Sequence, residues 1–301
     1  MEQAEPLDCV VVGAGAAGLT CAIYLARFRR RIAVIDSGAS RLLSIPTSHN
    51  YPGFAGGIHG DDILQRLRAQ ATHYGIGVTA GVAEHIERCD DGCFAVTVDR
   101  AQWRTRTVIL ATGVLDVEPT LPDVKRAVAQ GCVRYCPICD GYEAIDKKIA
   151  VLGRDKSGLA ESLFLNHFTA DVSLFALHGE LRMTDEDRAR LARSSVRAVP
   201  HTVARLTFDE RGAMTVWLDN GQFEHFDVVY VALGTLVNSG LAQMLGASCT
   251  DNGELLVDSH QQTSVDGLYA AGDIVAGLNQ ITVAMGQAAI AATAVHNRLR
   301  G

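Results

Sequence analysis

The stretch CVVVGAGAAGLTCAIYLARFRRRIAVIDSG, beginning at Cys9, constrains the fold more than any other part of the chain. An apolar strand-like run leads into an amphipathic helical pattern, and a second strand-like run follows, which predicts a βαβ unit. Gly13, Gly15 and Gly18 form G-x-G-x-x-G at the strand-to-helix turn, with Ala16 and Ala17 opening the helix. Asp36 closes the second strand 18 residues after Gly18, and Ser37 follows it. A bare glycine motif is weak; placed between strand and helix and followed by an acid, it is specific for a dinucleotide. Gly13 permits the tight turn, Gly15 lets the backbone approach a pyrophosphate, and Gly18 lets the helix pack on the strand. The helix N-terminus favours phosphate charge, and Asp36 can accept from an adenosine ribose hydroxyl.

A second βαβ pattern begins at residue 147, KKIAVLGRDKSGLAESLFLNHFTADVSLFALHG. Two dinucleotide-type α/β domains are therefore expected. The second motif is degraded. Gly153 and Gly158 keep the first and third positions, but Asp155 holds the middle one, where a pyrophosphate must approach most closely. The acid expected at Gly158 plus 18 is Ala176, within Phe175-Ala176-Leu177-His178. His178 reads as a solvent-facing histidine. A nucleotide 2′-phosphate has no arginine cluster to meet, Arg182 being the nearest candidate.

Between the two units lies RYCPICDGYE, residues 134–143. Zinc would need two further ligands at suitable spacing. Cys132 supplies only a third, and Cys89 and Cys93 flank a predicted hairpin turn, Asp90-Asp91-Gly92, elsewhere. A purely structural pair would leave unexplained the Pro and Ile between the cysteines and the acid after them. A redox pair accounts for both. A C-x-x-C at a helix start can close a short disulfide, and the helix N-terminus lowers a thiol pKa. Asp140 is placed to exchange a proton with a sulfur, or to cap the helix, or both.

Composition narrows the function. Net charge is −7, which does not favour nucleic acid, a partner that needs a basic patch. The basic run Arg27, Arg29, Arg30, Arg31 reads as cations at a helix C-terminus. No apolar run reaches membrane-span length, and the acidic N-terminus does not resemble a signal peptide. A cytoplasmic location is expected, so the eight cysteines do not read as a disulfide framework.

GAGAAG, HNYPGF, the ATG of Ala111, Thr112 and Gly113, CPICDG, TSVDGLYAAGD and NQITVAMGQA, in this order, resemble the low-molecular-weight thioredoxin reductase family, specifically members with a degraded NADPH site. The resemblance spans nearly the whole chain. It implies an FAD domain split into residues 1–115 and 246–301, with an inserted smaller domain, 116–245, carrying the cysteines and an NAD(P)H-type fold. It implies that Gly272 and Asp273 meet the ribityl or phosphate region, that Gln280 and Ile281 open the last helix beneath the flavin ring, and that Asn50 lies near that ring. It further implies that Cys139 faces the flavin while Cys136 exchanges with a partner disulfide. A homodimer and a rotating small domain are family expectations too.

The two losses in the second motif point to electron transfer between FAD and Cys136–Cys139 without ordinary use of NAD(P)H. Partners would be a thioredoxin-like protein or a small-molecule dithiol or disulfide, with ferredoxin one candidate donor. Alternatives are a dithiol oxidase passing electrons to oxygen, an ordinary NADPH-dependent reductase, and a non-catalytic flavin redox sensor. Asp140 favours the reductase, since the oxidase relatives carry histidine there. Pro137 and the Tyr142-Glu143 continuation look like the oxidase group.

Overall fold

The computed structural model describes residues 5–153, 155–177, 179, 181–209 and 212–300, without the side chain of Asp155. In chain order, the first part holds β1 (Leu7–Val12), α1 (Ala16–Arg27), β2 (Ile32–Asp36), α2 (Gly60–His73), β3 (Val78–Ala80), β4 (Ala83–Arg88), β5 (Phe94–Val98), β6 (Ala101–Leu110) and β7 (Val114–Asp116). The middle holds α3 (Val124–Ala129), β8 (Val133–Arg134), α4 (Pro137–Asp140), β9 (Ile149–Gly153), α5 (Asp155–Leu165), β10 (Val172–Ala176), α6 (Asp185–Ala192), β11 (Arg197–Phe208), β12 (Met214–Leu218), β13 (Phe223–Phe226), β14 (Val228–Ala232) and β15 (Thr235–Val237). The last part holds α7 (Gly240–Met244), β16 (Leu268–Ala270) and α8 (Ile281–Arg298).

These elements form two compact units. The first comprises the chain up to Leu43, Ile58–Leu115 and everything from Leu236 onward; the second comprises Ser44–Gly57 and Asp116–Thr235. The return to the first unit thus falls at 236, not at the expected 246. The reason is packing: Leu241 and Ala242 on α7 are buried in one cluster with Ile86, Phe94 and Leu255 of the first unit. Residues 44–57, expected with the FAD part, group with the second unit, where the Asn50 side-chain amide donates to the Ile138 carbonyl at 3.3 Å.

In the first unit the sheet runs β3-β2-β1-β6-β5-β4, with β16 also on β6. The pairs β1–β2, β1–β6, β2–β3 and β6–β16 are parallel, and β4–β5–β6 is an antiparallel meander. Side chains alternate across the sheet. Val10, Val12, Val108 and Leu110 pack with Ile86, Phe94 and Leu268. On the helical side, α1 lies against α8, with Ala17, Leu19, Ala22, Ala288, Ala291 and Ala292 buried. The alanines allow that close helix–helix approach.

The second unit repeats the plan. Its sheet runs β13-β12-β11-β10-β9-β14-β8, parallel from β11 through β8 and antiparallel across β11, β12 and β13. Ala150, Leu152, Val229 and Val231 face one core, and Ile149, Val151, Val228 and Tyr230 the other. Strands buried on both faces read as continuous apolar runs, as IAVLG and VVYVA do. In parallel sheets of this kind, ligands meet the carboxyl ends of the strands.

Candidate active site

In the first unit the carboxyl strand ends converge on the expected nucleotide residues. Gly13 follows β1 with φ +102°, and a Cβ there would lie 2.3 Å from the Ala111 carbonyl oxygen. A Cβ on Gly18 would lie 1.8 Å from the Gly13 carbonyl oxygen. Both positions therefore demand glycine for packing alone. Gly15 differs. It caps α1 without a side-chain cap, no acid stands in the first turn, and a Cβ on it would meet only Ser40 Oγ, at 3.4 Å. The amides at Ala16 and Ala17 thus open a cradle suited to phosphate.

Asp36 is buried at the end of β2, where its Oδ1 accepts from the Ala14 N–H at 3.0 Å. Its Oδ2 stands 3.9 Å from the Arg68 guanidinium and has room to accept a further hydrogen bond. Ser37, next in the chain, is exposed. The Ala111-Thr112-Gly113 turn after β6 is held by Asn238: Thr112 Oγ1 donates to the Asn238 carbonyl at 2.7 Å, Asn238 Nδ2 donates to the Thr112 carbonyl at 3.0 Å, and the Asn238 N–H donates to the Gly113 carbonyl at 3.0 Å.

Gly272, after β16, comes so near α1 that a Cβ would lie 3.0 Å from that of Ala17. Its N–H donates to Gln287 Oε1 on α8 at 2.9 Å. Asp273 pairs with Arg41 at 2.8 Å. Gln280 caps α8 and Ile281 is its first residue. The open glycine cradle, the ribose acceptor and the Gly272-Asp273 turn beside α1 fit FAD. Arg41, Asn238 and Gln287 complete the framework. Sequence reasoning missed Arg41 and Asn238 because their partners lie 232 and 126 residues away, and Gln287 because nothing in a helix marks which residue reaches back to the turn 15 residues before it.

In the second unit Cys136 and Cys139 are joined as a disulfide with Cα atoms 5.3 Å apart. The pair follows the carboxyl end of β8, the edge strand parallel to β14. Cys136 is the N-cap of α4 and Pro137 its first residue. Two expectations change here. Asp140 is the last residue of α4, so it does not cap the helix start. The helix is a single turn of 4 residues, too short for a macrodipole argument about the thiols to carry weight.

Asp140 is held by its neighbours instead. The Tyr230 hydroxyl donates to Asp140 Oδ1 at 2.7 Å and lies 3.1 Å from the Asp140 carbonyl oxygen. Arg134 Nη1 donates to that carbonyl at 2.7 Å and to the Tyr230 oxygen at 3.3 Å, while Nε lies 3.8 Å from Asp140 Oδ2. Burial pushes the Asp140 carboxyl above the ordinary aspartate range; Arg134 and the Tyr230 hydrogen bond pull it down, Glu143 pushes it up, and His49 lowers it. Burial, then the Asp140 charge, raises Tyr230, which therefore stays a donor. A carboxyl raised in this way holds its proton more tightly than a free aspartate and is suited to general acid–base work.

The second nucleotide motif keeps its scaffold. Gly153 and Gly158 approach so closely that a Cβ on either would fall 2.5 Å from the other's Cα. Ala176 ends β10, buried, in the place Asp36 holds on β2. Arg182 is exposed, while Arg154, His178 and the Asp155 side chain lie outside the described residues. Of the other cysteines, Cys9, Cys21 and Cys132 are buried and free; Cys89 and Cys93 are free at the β4–β5 turn. Among the described residues no group of three or more His, Cys, Asp or Glu is arranged to hold a metal, and no helix is long and apolar enough to cross a membrane. The arginines of the basic run reach other parts of the first unit: Arg27 with Tyr74, Arg30 with His296 and Arg31 with Glu5.

Two dinucleotide-type α/β units, one with a complete cradle and one bearing a C-x-x-C disulfide, define a flavin-dependent disulfide oxidoreductase. Comparison with known proteins gives the family. The profile of the pyridine nucleotide-disulphide oxidoreductases matches residues 7–288. Thioredoxin reductase of Treponema pallidum is 30% identical over 296 residues, covering 95% of each chain. The crystal structure of HlmI superposes with a TM-score of 0.90 at 30% identity, over 100% of this chain and 94% of that one. Thioredoxin reductase from Streptococcus pyogenes MGAS5005 gives 0.89 at 27% identity, over 98% of both. The chain belongs to the thioredoxin reductase family of pyridine nucleotide-disulphide oxidoreductases, whose members bind FAD.

Proposed function

We propose that this protein is a thiol–disulfide oxidoreductase in which Cys136–Cys139 exchanges electrons with the bound flavin on one side and a partner dithiol or disulfide on the other, without ordinary use of NAD(P)H. The observation that carries the reading is the Cys136–Cys139 disulfide followed directly by a partly buried carboxyl, Asp140, hydrogen-bonded by Tyr230. FAD supplies two-electron chemistry when bound. Gly13, Gly15, Ala16, Ala17 and Gly18 would take its pyrophosphate, Asp36 with Ser37 its adenosine ribose, and Asp273 its ribityl or phosphate region. Ala111, Thr112, Gly113, Gly272, Gln280, Ile281 and Asn50 would line the rest.

Cys136 attacks or releases the partner sulfur through a mixed disulfide, and Asp140 moves the proton. Ile138 and Tyr142, exposed by 50% and 73%, offer apolar surface beside the disulfide. A thioredoxin-like protein suits that surface, as the names of the relatives suggest. Location in the cytoplasm and assembly as a homodimer belong to the same reading.

The case against ordinary nucleotide use rests on the middle-glycine position, held by Asp155, and on Ala176 at the end of β10. The two glycines Gly153 and Gly158 serve helix-on-strand packing by themselves, so their presence does not argue for a bound nucleotide. The test is anaerobic titration of the purified flavoprotein with NADPH, NADH and dithiothreitol in separate samples. Loss of the oxidised flavin's visible absorbance with dithiol alone is the expected result, and reduced ferredoxin and oxygen are then tried as donor and acceptor. Rapid bleaching by NADPH would overturn the nucleotide part of the reading.

A further inference from the structure

Val133–Arg134 is a two-residue edge strand leading into the disulfide, and Arg134 is the register partner of Tyr230 on the neighbouring parallel strand. Register partners in a sheet project to the same face. Here that face carries α4, and both side chains end on Asp140. The links form a directed chain: Arg134 Nη1 donates to the Tyr230 oxygen at 3.3 Å, and the Tyr230 O–H donates to Asp140 Oδ1 at 2.7 Å. Arg134 is itself anchored, its Nε donating to the Gly131 carbonyl at 3.1 Å. Tyr230 is fully buried and only 11% of the Arg134 side chain is exposed, so neither can swing away into solvent.

We propose that Arg134 and Tyr230 are positioning residues for Asp140, fixing the orientation of its carboxyl after the Cys136–Cys139 pair and setting its affinity for the exchanged proton. This rests on the reading of Asp140 as the proton-transferring group. Without the two donors, burial and the nearby Glu143 carboxylate would both favour the neutral acid, against only His49. With them, Oδ1 is committed to Tyr230 and Oδ2 stands 3.8 Å from Arg134 Nε, so the carboxyl is held in one orientation.

The step they serve balances as follows. A partner thiolate attacks one sulfur of Cys136–Cys139; a new S–S bond forms as the old one breaks, and the released cysteine thiolate takes the proton of the Asp140 carboxylic acid. The partner's second thiol then gives its proton to the Asp140 carboxylate and displaces the other cysteine as thiolate, closing the partner disulfide. The partner loses two electrons and the cysteine pair gains them.

The experiment mixes the oxidised flavoprotein anaerobically with dithiothreitol over a pH series, quenches with acid, and quantifies alkylated Cys136 and Cys139 by mass spectrometry. Rates are divided by the thiolate fraction of the reductant. The wild-type rate so normalised falls as Asp140 loses its proton, and Asp140→Asn abolishes that limb. Arg134→Met is expected to move its midpoint upward by about one unit, the scale set by removing a close opposite charge. Tyr230→Phe moves it in the same direction, and Arg134→Lys restores part of the shift. A structural role alone would change the rate without moving the midpoint. Should Arg134→Met fail to fold, Tyr230→Phe, which deletes a single oxygen, decides.

Unmoved midpoints in Arg134→Met and Tyr230→Phe, with the limb lost in Asp140→Asn, would overturn the positioning role and leave the role of Asp140 standing. A limb that survives in Asp140→Asn would overturn both.

Discussion

The Gly13 carbonyl oxygen occupies the space into which a side chain on Gly18 would project, 1.8 Å from the Cβ position. The first turn of α1 is thereby pressed onto the end of β1. Gly18→Ala must push helix and strand apart at backbone atoms that cannot rotate away. We expect a loss of about 1–3 kcal/mol in folding stability, with flavin retention falling in step. Gly15→Ala meets only Ser40 Oγ, at 3.4 Å, so the unliganded fold tolerates it while the phosphate approach is narrowed. The two variants should separate: thermal unfolding of flavin-free protein drops for Gly18→Ala and holds for Gly15→Ala, whereas flavin affinity drops for both. Equal unfolding temperatures in the two would contradict this division of labour.

The Thr112 hydroxyl donates to the Asn238 carbonyl, tying the turn after β6 to the chain before α7. Thr112→Val keeps the shape and deletes the donor. A cost of about 1 kcal/mol is expected, part of it from leaving the Asn238 carbonyl short of a partner. Denaturant titration of the flavin-free protein measures it; an unchanged midpoint would mean that water replaces the hydroxyl at no cost.

What could be read in advance followed from local pattern. The βαβ units, the glycine turn, Asp36 and the cysteine pair each lie within a short window whose spacing carries the physics. Arg134 was inside such a window, yet it had no legible role, because its partner Tyr230 lies 96 residues away. A hint existed: VVYVA is otherwise aliphatic, and a tyrosine in a strand buried on both faces needs a partner for its hydroxyl. Nothing local says that the partner is Asp140. The return to the first unit at 236 was hidden similarly, since Leu241 and Ala242 look like any short helix until their burial against Ile86 and Phe94 is seen.

Six of the cysteines are free and two are bonded, which sets a countable expectation. Protein denatured in its oxidised state should present six thiols to an alkylating reagent, and after dithiothreitol all eight. Cys136→Ser should present seven in either state, keep its flavin, and lose thiol–disulfide turnover by at least about a thousandfold, since the mixed disulfide can no longer form. Full turnover in that variant would refute exchange through this pair. Eight reactive thiols in the oxidised wild type would refute the disulfide itself.

Glu161 on α5 has a buried Oε2 with no hydrogen-bond partner among the described residues, and burial pushes its carboxyl from 4.5 up to about 7. The folded chain therefore holds this proton more tightly than the unfolded chain does. Below about pH 4.5 both states are protonated and the neutral acid costs little. As pH rises from there through about 7 the unfolded state loses its proton first, and stability falls across that window. Glu161→Gln removes the titration while keeping the shape. Allowing for the partial exposure of the side chain, it should gain on the order of 2 kcal/mol over wild type at slightly alkaline pH and almost nothing in acid. Chemical denaturation at about pH 4 and about pH 8 reads the difference. A gain of the same size at both would mean that packing, not the carboxyl charge, separates the two proteins.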